Sequence, residues 1–193
     1  MSTAVFIADP SEELVTADAL AGIREECRLE LIEGRLLRKP YRGFQDGALC
    51  ATLCFVVGTW VKERQLGKVV ASSGFVVGSD PDTVLSPAVG FVSCEWLNRS
   101  VCGEDYFDGP PDLAIEVVSY GERAAEYVGK SRRWLRAGAK LVWVFDIDDR
   151  SLTVHHSLDD VRILTGDAAL DGGELLPGFR YPLAELFVGL EPK

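Results

Sequence analysis

The chain has no run of about 18 consecutive apolar residues. Its first residues hold neither a basic stretch nor an apolar segment ending in a small-residue cleavage motif. These absences argue against a membrane span and a secretory leader, so a cytoplasmic protein is expected. Cysteine is sparse and scattered: Cys27, Cys50, Cys54, Cys94 and Cys102 make an odd five, with no CxxC pair and no histidine at zinc spacing. Reduced core thiols are the expectation. The two histidines, His155 and His156, are adjacent and on a strand would point to opposite faces, so they are not a ligand pair. P-loop, dinucleotide-fingerprint and Ser-His-Asp motifs are all missing.

Positive charge is also in short supply, with a formal net charge of −10 and a pI near 4.7. Indiscriminate attraction to phosphate backbones is thereby excluded, because that affinity scales with Lys and Arg contacts that release counterions. Nucleic-acid binding would need a local basic patch. Lys130, Arg132, Arg133 and Arg136 form one candidate on a predicted helix, and Arg35, Arg38, Lys39 and Arg42 form another. A solvated helix face is the competing reading of such runs.

What the chain has is apolar residues: 47% of its 193 positions, enough for one sizeable core. One domain over residues 1–193 is expected, with its core in about 11–187. Thr16 reads as the cap of a short helix from Ala17 to about Glu26, and Leu29 to Leu37 as a strand bent or turned at Gly34. Between Asp46 and Gln65, Leu49, Leu53, Val56, Val57, Trp60 and Val61 recur at three and four, which predicts a long core helix stopped near Gly67. Lys68–Val77 and Val84–Ser93 flank the turn chemistry Gly78-Ser79-Asp80-Pro81-Asp82 and predict a hairpin interrupted at Pro87.

Asp112 to Val118 then reads as a strand, followed by a helix ending at Gly138 and the apolar strand Lys140–Asp146. This is a β-α-β unit with parallel strands. The predicted class is α/β, a mixed sheet flanked by helices.

Alternation places Asp112, Ala114, Glu116 and Val118 on one strand face and Leu113, Ile115 and Val117 on the other. A carboxylate within an otherwise apolar strand costs several kcal/mol unless paired, hydrogen-bonded or metal-bound, so Glu116 needs a partner. The next helix offers one, since Glu122, Glu126 and Lys130 are spaced at four along one stripe. A structural Glu116–Lys130 ion pair and a functional site both satisfy that demand, and a surface Glu126–Lys130 pair is a third possibility.

Several short motifs occur in order: Leu29-Glu30-Leu31-Ile32-Glu33-Gly34, Ser86-Pro87-Ala88-Val89-Gly90-Phe91-Val92-Ser93, Pro111-Asp112-Leu113-Ala114-Ile115-Glu116-Val117-Val118-Ser119, Lys130, Trp143-Val144-Phe145-Asp146 and Leu176-Pro177-Gly178-Phe179. This series resembles the Uma-type family of restriction endonucleases, a branch of the PD-(D/E)XK nuclease fold, across nearly the whole chain. The resemblance implies a site built from Glu30, an aspartate after Pro87, Glu116 and Lys130, with the lysine moved from the strand to the next helix. It also implies Mg²⁺ or Mn²⁺ held by Glu116 and Glu30, and hydrolysis of a nucleic-acid phosphodiester. Carboxylates suit a hard divalent ion, and a lysine suits a metal-activated water or phosphate charge.

The sequence departs from that pattern at Ala88, which stands at the aspartate position, and at Gln45, near where many members carry histidine. The implied metal binding is therefore weak or absent and the implied catalysis impaired. Asp112 lies about 13 Å from Glu116 along the strand and does not substitute; Asp80 and Asp82 read as turn formers, and Asp146 as a strand-end cap. An impaired endonuclease with DNA steered by Lys130, Arg132, Arg133 and Arg136 is one expectation. A degenerate binding or regulatory module, homodimeric through exposed apolar surface, is the alternative.

Overall fold

The computed structural model describes residues 5–6, 14–24, 27–99, 105–118 and 124–191. Cys102, Glu122 and the side chain of Glu126 lie outside the described residues.

The elements run β1 (Val5–Phe6), α1 (Ala17–Gly22), β2 (Arg28–Ile32), β3 (Arg35–Lys39), α2 (Phe44–Glu63), β4 (Gly67–Ala71), β5 (Phe75–Gly78), β6 (Thr83–Leu85) and β7 (Val89–Ser93). They continue with α3 (Cys94–Arg99), β8 (Phe107–Asp108), β9 (Leu113–Val118), α4 (Ala124–Ala137), β10 (Leu141–Asp146), β11 (Ser151–His155) and β12 (Val161–Thr165). A small pair, β13 (Ala169–Asp171) and β14 (Arg180–Pro182), precedes α5 (Leu183–Leu186). One six-stranded sheet has the order β12-β11-β10-β9-β7-β4, and a second has the order β1-β3-β2-β6-β5-β8.

The β-α-β unit forms as its apolar pattern demands. β9 and β10 are parallel, with Leu113 beside Leu141 and Glu116 beside Val144, and α4 joins them. Both strands are buried on two faces, which is why they read as nearly continuous apolar runs. Leu113, Ile115 and Val117 pack with Trp143 and Phe145 against Leu49, Leu53, Val57 and Val61 of α2. On the opposite face Ala114, Val118, Val142 and Val144 meet Tyr127 and Trp134 of α4 and Phe75 of the second sheet. Each such side chain contributes about 1.5–3 kcal/mol by leaving water. Trp143→Ala would break this layer most severely, at about 3–5 kcal/mol.

One local reading changes. The predicted Lys68–Val77 strand is two strands in different sheets: β4 pairs with β7, whereas β5 pairs with β6. The chain leaves the first sheet at Ser72-Ser73-Gly74, where Ser72 has φ +50°. A Cβ at Gly74 would fall 2.3 Å from the Tyr106 ring, so only glycine allows that crossing. Ala88 lies between β6 and β7 and is buried beside Val89.

Candidate active site

Glu116 occupies the middle of β9, on the face covered by α4. That helix is amphipathic: Tyr127, Lys130, Ser131 and Trp134 are buried, while Arg132 and Arg136 face outward. Lys130 and Trp134 are one turn apart and converge on one atom. Lys130 Nζ lies 2.9 Å from Glu116 Oε1, and the Trp134 indole N–H donates to the same oxygen at 2.8 Å.

β2 supplies the second carboxylate. Lys130 Nζ donates to Glu30 Oε1 at 2.6 Å and to the Ser86 carbonyl at 2.8 Å. The Ser86 N–H in turn donates to Glu30 Oε1 at 3.0 Å. The peptide of Ser86, just before Pro87-Ala88, is thus gripped from both ends. Glu30, Glu116 and Lys130 are only 2%, 1% and 7% exposed, so the cluster is shielded from bulk water.

Burial alone would raise the Glu30 pKa, but Lys130 and Lys39, with hydrogen bonds from Lys130 and Ser86, outweigh it and hold the carboxyl below its ordinary value. For Lys130, burial pulls the pKa down, and the facing Glu116 and Glu30 overcome it and raise it. Glu30 and Lys130 are therefore both charged throughout the neutral range. Lys39 belongs to this field: it is buried and sits over the Tyr127 ring, 5.2 Å from its centroid. The Tyr127 hydroxyl donates to Val117 O at 2.9 Å, and Arg42 Nη1 approaches the same carbonyl at 3.4 Å.

The structure brings Glu30, Glu116 and Lys130 together. It separates Lys130 from the other members of its basic run: Arg132, Arg133 and Arg136 line an open cleft of about 450 Å³ with Gly129, Thr83 and Glu33, and Lys130 points away from it. In the second basic run Arg35 is exposed, whereas Lys39 and Arg42 turn toward the carboxylates and β9.

Asp112 is tied elsewhere, accepting from Ser93 N at 2.7 Å and pairing with Lys140 at 2.7 Å. Asp82 accepts from Ala17 N, and Asp146 Oδ1 caps the turn through Asp148 N and Asp149 N. Gln45 is turned to the C-terminal segment, where it accepts from Glu191 N. His155 and His156 border different clefts. Cys50 and Cys54 are half-buried thiols whose pKa values burial raises.

Sequence reasoning missed Trp134, Ser86 and Lys39. Trp134 carried a usable signal, since it lies four positions after Lys130 on the same helical stripe. Ser86 acts through its backbone and left none.

Among the described residues no group of three or more His, Cys, Asp or Glu is placed to hold a metal ion. Two carboxylates do converge, and Glu30 Oε2 is buried and has no hydrogen-bond partner among the described residues, an arrangement that a hard cation would satisfy. The donors fit a single divalent ion incompletely: Glu116 and Glu30 can each offer oxygen, Lys130 already neutralises one of their charges, and Ala88 offers none.

Among solved structures, the fold is similar to a putative nuclease belonging to DUF820 from Anabaena variabilis ATCC 29413, with a TM-score of 0.78 and 20% sequence identity over 90% of this chain and 98% of that one. No curated protein matches the chain. The family model described as Uma2, putative restriction endonuclease, matches residues 13–184. With the nuclease-like fold and the Glu30–Lys130–Glu116 cluster in place, the chain belongs to the Uma2 family.

Proposed function

We propose that this protein is a metal-dependent endonuclease of the PD-(D/E)XK type whose hydrolysis of nucleic-acid phosphodiesters is attenuated because Ala88 stands where the aspartate is expected. The observation that carries the proposal is the convergence of Glu30 and Glu116 on Lys130, with Glu30 Oε2 buried and unpartnered among the described residues. Glu116 and Glu30 are the residues that would hold Mg²⁺ or Mn²⁺. Bound there, such an ion supplies an activated water and charge stabilisation at the phosphate.

The chain's own residues do the rest. Trp134 fixes the rotamer of Glu116 through its N–H, and Ser86 fixes Glu30. Lys130 keeps a positive charge beside both carboxylates, where it can stabilise an anionic phosphate once one of them turns to a cation. Arg132, Arg133 and Arg136 are the phosphate-positioning groups in this reading, offsetting locally the net charge of −10.

Ala88 weakens the ensemble by removing a hard oxygen ligand. Calorimetric titration with Mn²⁺ tests this: the protein should bind in the millimolar range or weaker, and Ala88→Asp should bind at least about tenfold more tightly, a gain of about 1.4 kcal/mol. Equal affinity in both proteins would sink the proposal. A second reading, a binding or regulatory module without hydrolysis, is favoured by one observation: Lys130 already engages both carboxylates. That reading predicts no metal binding by either form. Both readings take DNA as a partner and a second copy of the chain as another.

A further inference from the structure

α2 is more apolar than its position in the fold requires. It buries Leu49, Leu53, Val57 and Val61 against the main sheet, yet only 28% of its most apolar stretch is buried. From Gly47 to Val61 the helix has no charged residue. Its outward stripe, opposite the buried one, carries Phe44, Gly47, Ala51, Phe55 and Gly58 at helical spacing. Phe44 and Phe55 are 92% and 73% exposed. Among the described residues nothing lies within 4 Å of a Cβ built on Gly47, and only Val69 Cβ, at 4.0 Å, approaches one on Gly58. In a chain of which 26% of residues are charged, an uncharged outward stripe with two exposed phenylalanines marks a contact surface.

We infer that this stripe of α2 is the interface of a two-fold symmetric dimer in which α2 of one copy packs antiparallel on α2 of the other, with Ala51 on the axis. The order of large and small residues identifies the occupant as a second copy. Positions 47 and 55 are symmetric about 51, and so are 44 and 58. An antiparallel partner therefore lays each Phe55 over the partner's Gly47 and each Phe44 over the partner's Gly58, knob into gap along the contact. A two-fold contact must be self-complementary in this way, and an unrelated partner has no reason to match it. The absence of charge between Gly47 and Val61 also lets two acidic chains meet here without like charges in contact. Small residues at 47, 51 and 58 permit helix axes to approach to about 8 Å, the close end of helix packing. This inference names the surface for the homodimer proposed above and is independent of the nuclease chemistry.

Analytical ultracentrifugation of the full chain at micromolar concentration tests it first, with twice the 21.1 kDa chain mass expected. Phe55→Glu should weaken association at least about thirtyfold, as loss of a buried aromatic anchor does, and leave the far-ultraviolet spectrum and melting temperature unchanged because the side chain is exposed in the monomer. Ala51→Cys should form an intermolecular disulfide under mild oxidation, which the wild-type chain and Thr59→Cys should not. A monomeric wild type overturns the inference, as does a dimer that Phe55→Glu leaves intact and Ala51→Cys does not cross-link. Monomers that sediment with anionic or zwitterionic vesicles through an intact Phe55 would assign the stripe to a lipid surface and overturn it equally.

Discussion

Lys130 and Glu30, one hundred positions apart in sequence, are joined by a 2.6 Å bond that links α4 to β2. The same ammonium reaches Glu116 on β9, so a single side chain ties two sheets and a helix together. Removing it leaves two buried carboxylates without the ammonium they share. Lys130→Ala should cost about 3–5 kcal/mol of stability at neutral pH, the penalty of breaking a buried pair from one side. Urea unfolding measures this, and a loss under about 1 kcal/mol would mean that the cluster is solvated.

The bond between Trp134 and Glu116 is the second prediction. Trp134→Phe keeps most of the ring packing but deletes the donor, so the expected loss is about 1.5–3 kcal/mol, the value of a hydrogen bond to a charged group. A double-mutant cycle with Glu116→Gln should show coupling between the two positions. Additive effects would place the tryptophan's role in packing alone.

The pH dependence of stability follows from the signs of the shifts. Glu30 has a folded pKa below its ordinary value of 4.5, so its contribution is full above that value and fades as pH falls through the folded pKa. Lys130 has a folded pKa above its ordinary value of 10.5, so its contribution is full below that value and fades as pH rises past the folded pKa. Stability should show a plateau between these limits and fall outside both. In Glu30→Gln the acid limb should become shallower, which unfolding curves across the acid range would reveal.

The cleft arginines give a salt-dependent prediction. If Arg132, Arg133 and Arg136 contact phosphates, replacing all three by Gln should reduce the slope of log affinity against log salt by about 0.9 per contact on duplex DNA. Fluorescence anisotropy with a labelled duplex reads the slope directly, and an unchanged slope would remove these residues from the interface.

How much of this was legible in the sequence varies by element. The β9-α4-β10 unit was, because burial on both faces forces an apolar run and a lone Glu116 within it demands a partner. The Lys130 pairing was legible for the same reason. The path from β4 to β5 was not: its small and β-branched residues look alike on either side of Ser72-Ser73-Gly74, and the sheet change depends on Tyr106 filling the space above Gly74. Trp134 was readable in its position, four residues after Lys130, but not in its role, since packing and hydrogen bonding leave the same residue type. Lys39 read as part of a surface run because sequence alone does not say which member of a basic cluster turns inward.

Cleavage of supercoiled plasmid in Mn²⁺ by wild type, Ala88→Asp and the double variant with Glu116→Ala tests whether Glu116 and position 88 serve one hydrolytic site. Slow nicking is expected from the wild type, a rate at least about tenfold higher on introducing the aspartate, which corresponds to about 1.4 kcal/mol of added transition-state stabilisation, and none once Glu116 is removed. Cleavage that is indifferent to both substitutions would contradict a shared site.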